Sequence, residues 1–301
     1  MLFATLVSVL LGACLFGAIL VRIARRGDRL ALACCLLSAL PMCWVMFHFV
    51  RMPLDRLLVE WLTPQSGVLT ALRLMYAPMT EEPAKLWILL IPWVRKQIRR
   101  DNLAAFALAL GLGFALGEMV TVAQLVAIKD PRVLQMPWYE LSGFILERNL
   151  TCLIHSGMTG IALVIWRCGP GMFVGLPTAM LAHFLVNLPI ALAGWASLGR
   201  NHPFFAIALL YWVVLCYLLS LVFLAWLHTG SVKKLGLFMF GRAKCPTCGA
   251  VFDRRLKFAV NFGFNLRYER CPMCGKWNWT RREPSTPDAA MASDSVEKEL
   301  Y

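Results

Sequence analysis

The sequence predicts an all-α polytopic membrane protein with about seven transmembrane helices and a small β-type module near the C-terminus. Of its 301 residues, 59% are hydrophobic and 16% are charged, whereas soluble domains carry about 25% charged residues. Apolar runs long enough to cross a bilayer recur along the chain. Two C-x-x-C pairs lie beyond the last of these runs. The chain therefore belongs to the membrane class, with an appended cysteine-bearing segment.

Seven apolar runs are candidate transmembrane helices, because about 20 mostly apolar residues cross the hydrocarbon core. Their approximate bounds are 2–21, 29–50, 67–94, 102–128, 148–167, 171–195 and 203–228. The third run contains Pro78 and Pro83, so we expect a break, a kink or a short interfacial element before its main helix. Residues 51–66 are expected to form a short helix on the membrane surface.

Basic residues follow alternate spans, and this pattern predicts how the bundle is oriented. The residues that define the basic loops are Arg22, Arg25, Arg26, Arg29, Arg95, Lys96, Arg99, Arg100, Arg167, Lys233 and Lys234. Because cytoplasmic loops are enriched in Lys and Arg, the N-terminus is predicted to be extracytoplasmic and the C-terminus cytoplasmic, in the cell (inner) membrane. The same loops account for the net charge of +13. Membrane lipids are thus expected partners and nucleic acid is not.

The chain is predicted to have five parts. Residues 1–66 hold two transmembrane helices and the interfacial segment, and residues 67–195 hold a four-helix intramembrane core. Residues 196–240 supply the last transmembrane helix. Residues 241–282 form the cysteine module, and residues 283–301 form a disordered polar tail.

Four ionisable residues lie inside four consecutive predicted spans: Glu82, Glu118, His155 and His183. From the helical rise, they lie roughly 18, 24, 17 and 18 Å from the predicted cytoplasmic ends of their helices. A charge in the hydrocarbon core costs at least about 2.5–3.5 kcal/mol, so such residues are functional candidates. Their common depth predicts one polar site rather than four independent exceptions.

Neighbouring residues extend this predicted site. Lys85 lies four residues after Glu81 and three after Glu82, so it can neutralise either carboxylate. Asn187 shares the helical face of His183. Small residues beside the site are expected to let helices approach closely: Gly111, Gly113, Gly117, Gly157 and Gly160.

Two chemistries fit these residue types. A desolvated glutamate is suited to act as a general base on water, while histidine and asparagine can donate hydrogen bonds to an oxyanion. Alternatively, His155, His183 and Glu118 could bind zinc with an open position for water. The sequence leaves both mechanisms open.

Structural and non-catalytic alternatives also remain. Glu118 could pair with Lys85 or Arg73, and Glu81 could simply pair with Lys85, which would leave Glu82 as the only reactive carboxylate. Transporters and channels build similar buried clusters. A membrane receptor or scaffold that binds lipid or peptide in the same pocket is the principal alternative to an enzyme.

Four segments of the core resemble the PrsW family of intramembrane proteases. They are A-P-M-T-E-E-P-A-K at residues 77–85, G-F-A-L-G-E at 113–118, His155, and H-F-L-V-N at 183–187. That family is similar to the superfamily of CAAX prenyl-endopeptidases and bacteriocin-processing membrane proteases. The resemblance covers residues 67–195. It implies hydrolysis of peptide bonds in membrane-associated proteins, for example a regulatory substrate such as an anti-sigma factor.

The resemblance also implies roles for individual residues. Glu81 and Glu82 would be the catalytic carboxylates, with Glu118, His155 and His183 in supporting or metal-binding roles. Lys85 and Asn187 complete the candidate catalytic set.

The C-terminal module is predicted to be a zinc ribbon. Its ligands would be Cys245, Cys248, Cys271 and Cys274, two C-x-x-C pairs with the spacing of a tetrahedral four-cysteine site. Between the pairs, apolar residues alternate as in a β-strand: Phe258, Val260, Phe262, Phe264, Leu266 and Tyr268. Iron could use the same ligands. Four thiolates leave no open position, so the metal is expected to be structural.

Overall fold

The computed structural model describes residues 1–62, 67–195, 203–230, 241–254, 259–262 and 266–281. The predicted disordered tail at 283–301 lies outside these residues, as do Phe258 and Phe264 of the alternating segment. The chain divides into two compact units, Met1–His228 and Thr229–Tyr301. The first unit is helical and the second contains short strands.

Ten α-helices are observed in the described part of the chain. Their bounds are α1 (Leu2–Ile23), α2 (Arg29–Ala39), α3 (Met42–Met46), α4 (Met52–Trp61), α5 (Gly67–Leu86), α6 (Pro92–Gln97), α7 (Leu103–Lys129), α8 (Ser142–Cys168), α9 (Met172–Trp195) and α10 (Pro203–Thr229). A π-helical turn at Phe47–Arg51 joins α3 to α4. Short 3-10 helices occur at Arg26–Asp28, Trp87–Leu90, Pro131–Leu134 and Trp138–Leu141.

Six helical segments among the described residues are long and apolar enough to cross a membrane. They are Leu2–Ile23, Arg26–Trp61, Leu103–Lys129, Trp138–Cys168, Met172–Ile190 and Ile207–Thr229. These segments indicate a membrane-embedded protein. The third predicted span, residues 67–94, is not among them, because its helix α5 carries Arg73, Glu81, Glu82 and Lys85 within 20 residues. The count of seven spans therefore stays a prediction.

The predicted break in the third apolar run occurs at a different place from the one expected. Helix α5 runs without interruption through Pro78 and Pro83 and ends at Leu86. The interruption is the 3-10 turn at Trp87–Leu90, after which Pro92 occupies the first turn of α6. A proline is well tolerated there, because the first amide of a helix has no intrahelical partner. The expectation of a break before the main helix was wrong.

Helix α7 is the centre of the bundle. Every residue from Leu103 to Gly117 is buried, as expected for a helix surrounded by other helices rather than lying on a surface. It packs against α8, α2 and α1. The close approach to α2 depends on glycine, because a Cβ added at Gly113 would lie 2.1 Å from the carbonyl oxygen of Leu36. At Gly117 it would lie 1.8 Å from that of Leu40.

The other predicted packing glycines also lie at close contacts. A Cβ at Gly111 would lie 2.4 Å from the backbone of Ser156 on α8, and one at Gly157 would lie 2.7 Å from the hydroxyl of Ser220 on α10. At Gly160 a Cβ would lie 3.0 Å from the ring of Phe223. These contacts confirm that small residues set the helix spacing beside the predicted polar site.

The second unit contains two small antiparallel sheets. Strand β1 (Arg242–Lys244) pairs with β2 (Val251–Asp253), and β4 (Leu266–Arg270) lies between β3 (Val260–Phe262) and β5 (Trp277–Arg281). The predicted alternation is therefore divided between two strands of a hairpin. Val260 lies opposite Tyr268 and Phe262 opposite Leu266 in the register of this strand pair.

Candidate active site in the helical bundle

The carboxylates that the sequence singled out lie buried on one turn of α5. Glu81 is 3% exposed, and Glu82 and Lys85 are 0% exposed. Lys85 Nζ lies 2.6 Å from Glu82 Oε1, an i,i+3 ion pair within the helix. The sequence allowed Lys85 to neutralise either glutamate, and the structure pairs it with Glu82. The alternative that Glu81 pairs with Lys85 was wrong.

A chain of hydrogen bonds connects Lys85 to α8 and α7. Lys85 Nζ lies 2.8 Å from His155 Nδ1, and His155 Nε2 lies 2.8 Å from Glu118 Oε2. Because an ammonium group can only donate, Nδ1 accepts its hydrogen bond and Nε2–H donates to Glu118. This pattern assigns a neutral imidazole in the Nε2–H tautomer. Both ring nitrogens of His155 are therefore engaged within the protein.

His183 on α9 faces both glutamates of α5. Its Nδ1–H donates to Glu82 Oε1 over 2.6 Å, and its Nε2 lies 3.8 Å from Glu81 Oε2. The second pair is too far apart for a direct hydrogen bond. Glu81 Oε2 is buried and has no hydrogen-bond partner in the described part of the protein. These two atoms are thus a facing pair of polar groups that do not bond to each other.

Two arginines that the sequence did not assign to the site complete its charge balance. Arg51 Nη2 lies 2.5 Å from Glu81 Oε1, and Arg148 Nη1 lies 3.3 Å from Glu118 Oε1. Each of the three glutamates therefore has a basic partner, with Lys85 serving Glu82, and Arg148 also forms a two-point ion pair with Glu147. Pairing of this kind is what makes ionised groups tolerable away from water.

The surroundings of Arg51 and Arg73 differ from the sequence expectation. Arg51 comes from the π-helical turn and also donates to Thr80 Oγ1 over 2.8 Å, which fixes its guanidinium beside α5. Arg73 was a candidate partner for Glu118. It instead forms a two-point ion pair with Asp55, at 2.7 and 2.8 Å. The alternative of an Arg73–Glu118 pair was wrong.

Asn187 lies one turn after His183 on α9 and is half-buried. Its side chain makes no hydrogen bond to another residue within the described ranges. The amide is therefore available to a ligand on the face that it shares with His183.

The carboxylates and one histidine could also hold a metal ion. Donor atoms of Glu81, Glu118 and His155 all lie within 4.8 Å of one another. This group contains Glu81 where the predicted set of His155, His183 and Glu118 has His183. Two carboxylates and an imidazole suit zinc and similar cations. Binding would require His155 to exchange a hydrogen bond for the metal, since both its nitrogens are engaged.

The four predicted cysteine ligands of the second unit lie together. Their sulfur atoms are all within 4.8 Å of one another, with Cys245 and Cys274 at 3.8 Å and Cys248 and Cys271 at 3.8 Å. These separations exclude disulfide bonds and are close to those of thiolates around one tetrahedral ion. The four sulfur atoms therefore suit a metal ion that prefers thiolate ligands.

Backbone geometry prepares this cluster for a cation. Gly249 and Gly275 have φ near +73° and +71°, a conformation that glycine adopts without steric cost. The turns they form direct amide groups at the sulfur atoms. Hydrogen bonds from the backbone N–H groups of Cys248 and Thr247 lower the pKa of the Cys245 thiol to about 6. The pKa of the neighbouring Cys248 thiol is raised to about 11, with burial and the other three cysteines acting in that direction. Without a cation the cluster therefore favours a thiolate at Cys245 and a thiol at Cys248.

No family model, curated protein or solved structure matches the chain. The bundle offers buried, charge-balanced carboxylates beside an imidazole, and the second unit offers four thiols.

Proposed function

We propose that the protein is an intramembrane endopeptidase that hydrolyses peptide bonds of membrane-associated proteins with water activated by Glu81 and His183. One observation carries the proposal. Glu81 Oε2 and His183 Nε2 face each other at 3.8 Å without a direct bond, and Glu81 Oε2 has no partner among the described residues. A water molecule between them could donate one hydrogen to each and present its lone pairs to a substrate carbonyl.

The neighbouring residues support this assignment. Glu82 accepts a hydrogen bond from His183 Nδ1, so Nε2 is left with its lone pair in the neutral ring. Arg51 holds the other oxygen of Glu81. The two groups that touch the water are therefore each fixed by a second, buried partner, as a preorganised site requires.

In the proposed reaction, the water oxygen attacks the carbonyl carbon while Glu81 takes one of its protons. The new C–O bond gives a tetrahedral oxyanion, to which Asn187 Nδ2–H donates a hydrogen bond. The C–N bond then breaks and the proton passes to the leaving amine. Glu118, His155 and Lys85 hold Glu82 in place through their hydrogen-bond chain and do not touch the substrate.

The resemblance to the PrsW family agrees with this proposal, because its motif residues supply Glu81, Glu82, His183 and Asn187. A metal-dependent form of the same hydrolysis is the second candidate, favoured by the donor group of Glu81, Glu118 and His155. In that form the ion would lower the pKa of a bound water.

The first prediction concerns cleavage of membrane-segment peptides by the purified protein. Glu81→Gln should lower kcat/KM by at least about a hundredfold, the lower end of the contribution of a general base. His183→Ala should lower it comparably. Arg73→Gln is the matched control, because it lies on the same helix and breaks only the ion pair with Asp55.

Normal cleavage by Glu81→Gln would contradict the assignment. Saturable peptide binding without turnover in the wild-type protein would instead favour a non-catalytic receptor or scaffold.

For the second unit, we propose a structural zinc ion bound by Cys245, Cys248, Cys271 and Cys274. The close sulfur atoms and the lowered pKa of Cys245 support it. Four thiolates saturate tetrahedral zinc, so the ion would stabilise the fold and take no part in hydrolysis.

A further inference from the structure

A basic pocket lies at the end of the bundle where α6 and α8 finish. It has a volume of about 680 Å³ and its lining residues are Arg95, Lys96, Ile98, Arg99, Arg100, Trp166 and Arg167. Five of these seven side chains are cationic. The pocket is separate from the candidate active site, whose residues do not line it.

Most of these cations have no carboxylate partner. Arg99 pairs with Asp28 at 3.0 Å and lies 3.5 Å from Asp101. In the described part of the protein, the other four basic side chains of the pocket form no ion pair with Asp or Glu. Like charges gathered without counter-ions repel one another, so the pocket would be stabilised by an anion.

Arg167 gives a second, independent indication of a ligand. Its Nη2 donates to the backbone oxygen of Arg95 over 2.5 Å, which ties the end of α8 to α6. Its guanidinium lies 3.9 Å from the ring centre of Trp166. Its Nε is buried and has no hydrogen-bond partner within the described ranges. A buried donor without an acceptor is costly, and rotation of the Arg167 side chain toward an oxyanion in the pocket would give Nε an acceptor.

Exposed apolar residues immediately before the pocket indicate where the anion comes from. Leu90, Ile91 and Trp93 are 81%, 42% and 44% exposed, and they precede Arg95 at the start of α6. A tryptophan followed by basic residues on a short helix is typical of a membrane interface. Acyl chains would contact the apolar side chains while the headgroup reaches the cations.

We propose that this pocket binds the phosphate group of an anionic membrane lipid. The arginine fork is well suited to phosphate oxygens, and basic pockets between transmembrane helices commonly hold lipid headgroups. The ligand is a phosphodiester with a net negative charge, and its binding does not depend on the proposed hydrolysis.

Native mass spectrometry of the full-length protein in neutral detergent tests the proposal, with short-chain phosphatidylglycerol as the probe. Arg167→Gln and Arg100→Gln should each weaken binding about fivefold, the factor equivalent to about 1 kcal/mol per basic residue. Arg100 is exposed, so its variant keeps the test valid if Arg167→Gln misfolds. Arg26→Gln is the matched control, because it removes the same charge from the same end of the bundle outside the pocket.

Two further ligands distinguish the source of the phosphate. Phosphatidylcholine should bind more weakly than phosphatidylglycerol, because its headgroup has no net charge. Inorganic phosphate should compete with phosphatidylglycerol only at a much higher concentration. Equal binding of the two lipids would overturn the proposal, as would equal losses in Arg26→Gln and Arg167→Gln. Inorganic phosphate that binds as tightly as the lipid would overturn the assignment to a lipid.

Discussion

At the scale of single residues, the candidate active site is a set of three ion pairs joined by two histidines, and the pair of Lys85 and Glu82 is fully buried. Arg51 serves Glu81, Lys85 serves Glu82 and Arg148 serves Glu118. A buried pair contributes little net stability, but removal of one partner leaves an uncompensated charge. The pairs therefore hold the glutamate side chains in place rather than stabilising the bundle as a whole.

The pair of Arg148 and Glu118 allows this argument to be tested outside the proposed catalytic groups. Arg148→Met should lower the free energy of unfolding by up to about 3 kcal/mol, because Glu118 and Glu147 would both keep their charge without this cation. The double variant Arg148→Met/Glu118→Gln should lose less, since the buried charge is removed as well. Unfolding in detergent by chemical denaturant measures both.

Arg132→Met is the control for the loss of an arginine, because Arg132 is 88% exposed and pairs only with Asp130 at the surface. It should have no measurable effect. A double variant that is as unstable as the sum of its two single variants would contradict the pairing.

The sequence singled out six of these eight residues and missed two. Glu82, Glu118, His155 and His183 could be recognised because a charge or imidazole is conspicuous in an apolar segment, and helical rise gives its depth. Arg51 and Arg148 lie near the ends of predicted spans, where arginines are common. Helical rise gives depth but not the direction in which a helix faces its neighbours, so their pairing could not be predicted.

At the scale of elements, α7 determines the geometry of the site. Its glycines let α2 and α8 approach, which carries Glu118 to His155 on α8. The sequence predicted this role because small residues four apart permit close helix packing. Of the break, kink or interfacial element expected at Pro78 and Pro83, the break was wrong, because α5 continues through both prolines. The observed interruption precedes Pro92, where a proline begins a helix.

A methyl group on α7 should disrupt this packing. Gly117→Ala would place its Cβ 1.8 Å from the carbonyl oxygen of Leu40, so the backbone of α2 would have to move. Overpacking of this kind typically costs about 1–3 kcal/mol. We expect a lower melting temperature and weaker peptide cleavage, because Glu118 is the next residue along α7.

Gly143→Ala is the matched control. The methyl group that it adds at the start of α8 would meet no neighbouring atom within 4 Å, and alanine favours a helix over glycine by up to about 1 kcal/mol. This variant should melt at the same temperature as the wild type or slightly higher. Equal destabilisation of the two variants would show that the α7–α2 contact is not tight.

At the scale of the whole molecule, the two units carry different chemistry. The unit Met1–His228 contains the buried carboxylates and the basic pocket, and the unit Thr229–Tyr301 contains the four clustered thiols. The change in composition along the chain predicted this division, because apolar runs stop before the cysteine pairs. It could not predict which donor atoms meet, since that depends on tertiary packing.

Each unit contains a group of possible metal ligands, so the number of metal ions bound per chain tests both groups. If water is activated by Glu81 and His183 alone, the only metal is that of the cysteines. The wild-type protein should then contain one zinc ion per chain, and Cys245→Ser/Cys271→Ser should contain none, because two thiolates are removed from a four-thiolate site. Elemental analysis of the purified proteins measures this directly.

Peptide cleavage by the same variant distinguishes a structural metal ion from a catalytic one. Cleavage should persist in Cys245→Ser/Cys271→Ser, because an ion held by four thiolates has no open position for water and takes no part in hydrolysis. Cys168→Ser is the control for a cysteine outside the cluster, and it should keep both the metal and the activity. A zinc ion that remains in the double variant and is lost in Glu118→Gln would instead identify the group of Glu81, Glu118 and His155 as a metal centre. The glutamate mechanism would then give way to metal-activated water.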